Sequence, residues 1–136
     1  MENQEKNSVA PEGYVPAVVE YFSGAAWLKM LVTPDADTNC SIGDVIFEAG
    51  VRNKWHTHPS NQILIVTEGV GYYKEEGSPR REIGMGDVVN ILAGVKHWHG
   101  ATPNGRFSHY AININTEKGM AEWLEPVTDE QYNSAD

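Results

Sequence analysis

Glycine, proline and asparagine recur every eight to twelve residues along this chain, and between them lie short runs of valine, isoleucine, tyrosine and tryptophan. That punctuation leaves no room for a long amphipathic helix and predicts an all-β antiparallel sandwich or barrel. With 136 residues, of which 40% are apolar, one core and one domain are expected. The runs predict strands over Ala17–Phe22, Trp27–Thr33, Cys40–Phe47, Asn53–His58, Gln62–Glu68, Gly71–Glu75, Arg80–Ile83, Asp87–Ile91, His97–His99 and Phe107–Asn115. Residues 1–16, with Pro11 and Pro16, are expected to form an N-terminal arm that packs across a subunit partner, leaving 17–136 as the domain. Glu75 to Pro79 reads as a hairpin tip, and Ile83 to Asp87 as a tight turn eased by its glycines. After Pro126, the run Thr128-Asp129-Glu130-Gln131 has the form of a capped helical turn.

Within this β framework, four of the five histidines fall into two pairs, His56 with His58 and His97 with His99. Side chains two apart on a strand point to the same face, so each pair presents two imidazoles together and all four can converge. Gln62, soon after the first pair, offers an amide oxygen. Imidazole nitrogens and an amide oxygen are donors that a divalent transition metal accepts. One such ion per chain is expected, and the donor set suits manganese, iron, nickel or zinc. If His56 and His58 face inward, Gln62 comes in phase with Leu64 and Val66 on the following strand. Parity along the last long strand puts His109, Ala111 and Asn113 on one face.

A net charge of −9 argues against nucleic acid or an anionic membrane as partner, since both require basic surface. A small-molecule substrate fits better. Cys40 is the sole cysteine, which excludes an intrachain disulfide and predicts a small buried strand residue. The polar start of the chain lacks the form of a secretory signal, and no apolar run is long enough to span a membrane. A soluble, cytoplasmic protein is expected. The four tryptophans are expected in the core or an interface, with Trp98, between two inward histidines, pointing outward into a subunit contact and so suggesting a homodimer.

The spacing Gly50-x5-His56-x-His58-x3-Gln62-x6-Gly69 resembles the first cupin motif, with glutamine where glutamate is usual. Gly86-x5-Leu92-x-Gly94-x2-His97 is similar to the second motif, with leucine in place of proline and Ala101 where asparagine often closes it. The resemblance implies an antiparallel double-stranded β-helix, the cupin jelly-roll barrel, over nearly the whole chain. A closer likeness is to small single-domain bacterial cupins associated with carboxymuconolactone decarboxylases, including the cupin-type hydroxynitrile lyases. It is carried by Trp55 to Pro59, Gln62 to Thr67, Gly86 to Val89, Lys96 to Gly100 and Val127 to Tyr132. That likeness implies manganese held by His56, His58, Gln62 and His97. It also implies a proton acceptor at His99, with His109 and Asn113 orienting the departing group; Asn113 is shorter than the glutamine usual there. Replacing a ligating glutamate by glutamine leaves the metal's charge uncancelled and favours polarisation of a hydroxyl or carbonyl. The expected activity is therefore that of a metal-dependent lyase on a small hydroxyl or carbonyl compound. A metal cupin that binds or senses a ligand without turnover, and an iron dioxygenase, are the alternatives. Interior histidines beyond the ligand set weigh towards catalysis.

Overall fold

The computed structural model describes residues 9–136, so residues 1–8 of the expected arm lie outside the described residues. The strands are β1 (Val15–Pro16), β2 (Ala26–Val32), β3 (Cys40–Phe47), β4 (His56–Thr57), β5 (Gln62–Glu68) and β6 (Val70–Glu75). They continue as β7 (Arg81–Gly84), β8 (Val88–Ile91), β9 (His97–Ala101), β10 (Phe107–Ile114) and β11 (Glu122–Trp123), and among the described residues a single short α-helix, α1 (Asp129–Asn133), follows them. They form two antiparallel sheets in the orders β1-β2-β3-β10-β5-β8 and β11-β4-β9-β6-β7. This is the architecture expected of the barrel. Among the described residues no helix is long and apolar enough to cross a membrane.

Alternation along β3, β10 and β5 sorts the side chains into rows across the first sheet. Register places Ser41, Asn113 and Gln62 opposite one another, then Gly43, Ala111 and Leu64, then Val45, His109 and Val66. Residues in such rows share a face, so the parity expected for Gln62 with Leu64 and Val66 holds. Phe47, Leu64, Val66, Tyr73, Ile83 and Phe107 fill one end of the barrel with apolar volume. The other end carries the polar members of the rows. Gly69 makes the packed end possible: its φ of +75° suits glycine, and a Cβ there would lie 2.1 Å from the Arg106 carbonyl oxygen.

Four expectations need correction or completion. Ala17–Phe22 is not a strand; Val15–Pro16 pairs with Leu28 and Trp27 of the same chain, and Val19–Tyr21 is a 3₁₀ turn. A strand would send Tyr21 and Phe22 to opposite faces, whereas both rings meet Trp123, with centroids at 4.5 and 6.5 Å. Asn53–His58 shrinks to a two-residue strand preceded by isolated bridges at Arg52 and Asn53. Trp98 does leave the barrel interior, but it is covered by the chain's own C-terminal segment: with Trp55, Val127 and Tyr132 it forms a second apolar cluster. The Thr128–Gln131 capping box forms as expected, and Arg52 clamps the segment by donating to the Val127 carbonyl and to Asp129. Cys40, at the start of β3, is half-buried.

Candidate metal centre

Five imidazoles converge at the open end of the barrel. The two sheets supply them in register: His56 on β4 lies opposite His97 on β9, and His99 follows on the same face of β9. Ring centroids are 4.2 Å apart for His56 and His97, 5.1 Å for His56 and His58, and 5.3 Å for His58 and His97. His99 stands 5.5 Å from His56 and 4.8 Å from His109, which reaches over from β10. All five are buried, with His97 and His109 fully enclosed. Potential ligand atoms of His56, His97 and His99 lie within 4.8 Å of one another.

Hydrogen bonds fix what three of the rings can offer. Nδ1 of His56 donates to the Lys54 carbonyl at 2.7 Å, Nδ1 of His58 to the Met120 carbonyl at 2.7 Å, and Nδ1 of His97 to the Val95 carbonyl at 2.9 Å. A carbonyl oxygen only accepts, so each Nδ1 carries the proton and each Nε2 is left with a lone pair. Gln62 is oriented in the same way. Its Nε2 donates to Asn113 Oδ1 at 3.0 Å, and Asn113 Nδ2 donates in turn to Ser41 Oγ at 3.2 Å. Among the described residues, His58 Nε2, His97 Nε2 and Gln62 Oε1 then have no hydrogen-bond partner although they are buried. Orphaned buried polar atoms are costly and uncommon, and three of them on or behind the wall of one cavity need an explanation. Cation ligation supplies it, so the donor set fits a divalent metal held by nitrogen and oxygen.

Burial also keeps the rings neutral, which is the form that ligates. It drives His56 and His99 well below the ordinary imidazole range, with neighbouring imidazoles adding to the effect. It lowers His97 and His109 to about 4 and depresses His58, where the Met120 carbonyl opposes it.

In front of these groups lies a cavity of about 250 Å³. Leu28, Met30, Val45, Phe47, Ala111 and Met120 give it apolar walls, and its polar groups are Ser41, Asn53, His56, His58, Gln62, His99, His109 and Asn113. No lysine, arginine, aspartate or glutamate lines it among the described residues. Every residue singled out from the sequence for chemistry therefore sits at or directly behind one cavity. Three contributors were missed. Asn53 and Ser41 act through non-local pairing that leaves no local pattern. Trp123, expected simply as packing, lies tilted against His56 with ring centroids 4.4 Å apart, and its segment brings the Met120 carbonyl to His58.

Residues 43–113 match the family model described as "Cupin domain". The chain is 42% identical over 113 residues to an (R)-mandelonitrile lyase of Granulicella tundricola, covering 83% of this chain and 86% of that one. Among solved structures, a cupin-like protein from Thermotoga maritima is 46% identical with a TM-score of 0.87, over 92% of this chain and 95% of that one. A predicted oxalate decarboxylase, also from Thermotoga maritima, shares the fold at 19% identity, with a TM-score of 0.67 over 74% and 90% of the two chains.

Proposed function

The chain belongs to the cupin family, and from that premise we propose that it is a divalent-metal lyase acting on a small, uncharged hydroxyl or carbonyl compound, with cyanohydrin cleavage as the model reaction. The observation that carries this reading is the set of buried, unpartnered donor atoms facing a cavity without carboxylate or cationic side chains. His56, His58 and His97, each through Nε2, and Gln62 through Oε1 are the residues that would hold the metal. A divalent ion bound there supplies a Lewis acid for a substrate oxygen, and the all-neutral ligand set leaves its charge undiminished.

The remaining chemistry belongs to the chain's own side chains. Leu28, Met30, Val45 and Ala111 take the organic body of the substrate out of water. His99, whose Nδ1 lies 3.1 Å from His109 Nε2, keeps its other nitrogen for the cavity and accepts the hydroxyl proton there. As that O–H bond breaks, its electron pair forms the carbonyl and the carbon–cyanide pair leaves with cyanide. The proton held on His99 then passes to cyanide, so atoms and charge balance. His109 shares the positive charge that His99 carries in between and faces the departing group. Asn113 is engaged at both ends of its amide, and in this reading it holds Gln62 in place. Apart from the metal, the cavity offers no lysine or arginine among the described residues to pair with a charged substrate group.

The test is cyanide release from racemic mandelonitrile by manganese-loaded protein, compared with metal-free protein and with His99→Ala. Turnover that disappears in both controls is expected. Stoichiometric metal binding without turnover would overturn the lyase assignment and leave a ligand-binding metal cupin.

A further inference from the structure

We infer that Asn53 is a positioning residue for His99, with its side-chain amide locking both the strand and the imidazole that faces the cavity. Asn53 is 3% exposed and lines the cavity, yet it lies outside any regular strand, in the connection between β3 and β4. It grips His99 three times. Its backbone N–H donates to the His99 carbonyl at 3.1 Å, its Oδ1 accepts the His99 backbone N–H at 3.0 Å, and its Nδ2 stands 3.4 and 3.3 Å from His99 Nδ1 and Nε2.

The second of these contacts decides the meaning of the third. Because Oδ1 is committed to a backbone N–H, the amide cannot be turned end for end, and only hydrogens face the imidazole. Nδ2 is nearly equidistant from the two ring nitrogens, so its hydrogens lie against the imidazole face rather than on the lone pair of either nitrogen, and they hold the plane of the ring. With Nδ1 also paired to His109 Nε2, the ring is held in one plane, and the Phe47 ring edge closes a further side at 5.8 Å. A purely structural asparagine would need only the two backbone contacts. The amide hydrogens spent on the imidazole are what tie Asn53 to the chemistry, and the importance given to His99 rests on the lyase reading above.

The experiment compares wild type, Asn53→Leu and Asn53→Asp, each loaded with diamagnetic zinc, by long-range proton–nitrogen NMR of the imidazoles, and measures mandelonitrile cleavage by the manganese-loaded forms. Wild-type His99 is expected to show the two distinct nitrogen shifts of a single neutral tautomer. In Asn53→Leu these shifts move towards averaged values, and kcat falls by roughly 10- to 100-fold with KM within about twofold, because the proton acceptor is present but misplaced. Asn53→Asp keeps size and the acceptor for the His99 N–H but sets an oxygen against the ring. It is expected to fold but melt below wild type, because it buries a carboxylate, while its His99 shifts and kcat change. Unaltered His99 shifts in both variants overturn the proposal, as does a loss confined to KM, which would make Asn53 a substrate contact. Should Asn53→Leu not fold, Asn53→Asp decides alone. If wild type cleaves no cyanohydrin, the lyase reading falls, and the imidazole shifts still judge Asn53.

Discussion

Replacing Ser41 by alanine tests whether Gln62 is aimed by a hydrogen-bonded row running across three strands. Ser41 is 1% exposed, and its Oγ is the acceptor for Asn113 Nδ2. Without it, that amide N–H is left unpaired where water cannot replace the lost partner, at a cost of about 1–3 kcal/mol. Asn113 can relieve part of this by turning over, which presents Nδ2 to Gln62. Gln62 must then turn Oε1 towards Asn113 and its NH₂ towards the metal position, where it cannot ligate. In wild type the hydroxyl can serve either orientation, so removing it penalises the native row, which leaves an N–H orphaned, relative to the turned-over row, which leaves a carbonyl oxygen, by up to about 1–2 kcal/mol, or about 5- to 30-fold in metal affinity. Titration of metal-free protein with manganese against a fluorescent chelator gives that ratio directly. Ser41→Ala should weaken binding by about tenfold and lower the melting temperature by several degrees, and Ser41→Thr, which keeps the hydroxyl, should bind like wild type. Equal affinity in Ser41→Ala and wild type would refute the reasoning, because the row would then have no hold on the ligand oxygen.

Two further outcomes follow from the burial of the site and from the outer cluster. Metal-free protein should lose stability on acidification: unfolded imidazoles protonate near 6.5 while His97 and His109 resist to about 4, so between those pH values the unfolded state binds more protons. Each ring contributes up to about 3.5 kcal/mol across that window, from a gap of about 2.5 pH units at about 1.4 kcal/mol per unit; denaturant unfolding at pH 7, 5.5 and 4.5 measures it, and a flat profile would contradict the burial argument. Tyr132→Ala removes a ring that is 5% exposed, packs on Trp98 and is stacked by Arg52, and it should cost about 3–5 kcal/mol by denaturant unfolding and also weaken manganese binding, whereas Tyr132→Phe should cost about 1 kcal/mol.

How much of this was legible in the sequence depended on how local the determining interaction is. Period-two parity placed His56, His58, Gln62, His97, His99 and His109 towards one interior, because alternation is a property of each strand alone. The same parity sent Trp98 outward. It could not say that Tyr132, from the far end of the chain, would cover it, since that contact depends on where the C-terminal segment docks. Ala17–Phe22 misled for a related reason. Its valines and aromatics carry strand propensity, which is mostly a statement about fitting a pleated, half-buried surface, and here the rings of Tyr21 and Phe22 are drawn together onto Trp123. The Ser41–Asn113–Gln62 row was invisible because it requires the register of three strands at once.

That row also explains how a cupin barrel can carry glutamine at position 62 without rebuilding its neighbours. A hydroxyl can donate or accept, so the Ser41–Asn113 pair is reversible. As it stands, Ser41 accepts, Asn113 presents its oxygen, and Gln62 is read through its NH₂. With glutamate at 62 the pair would turn over: Ser41 would donate, and Asn113 would offer its NH₂ to the carboxylate. Both states satisfy every buried atom of the row, so the choice between them falls on the residue at 62 and on its charge. A carboxylate there would place a full negative charge in a cavity whose other polar groups are neutral imidazoles, amides and one hydroxyl. The amide keeps the ligand set neutral. A neutral set stabilises an alkoxide or a departing anion more strongly than a charged one does, which is the requirement of a reaction that ionises a hydroxyl and releases cyanide.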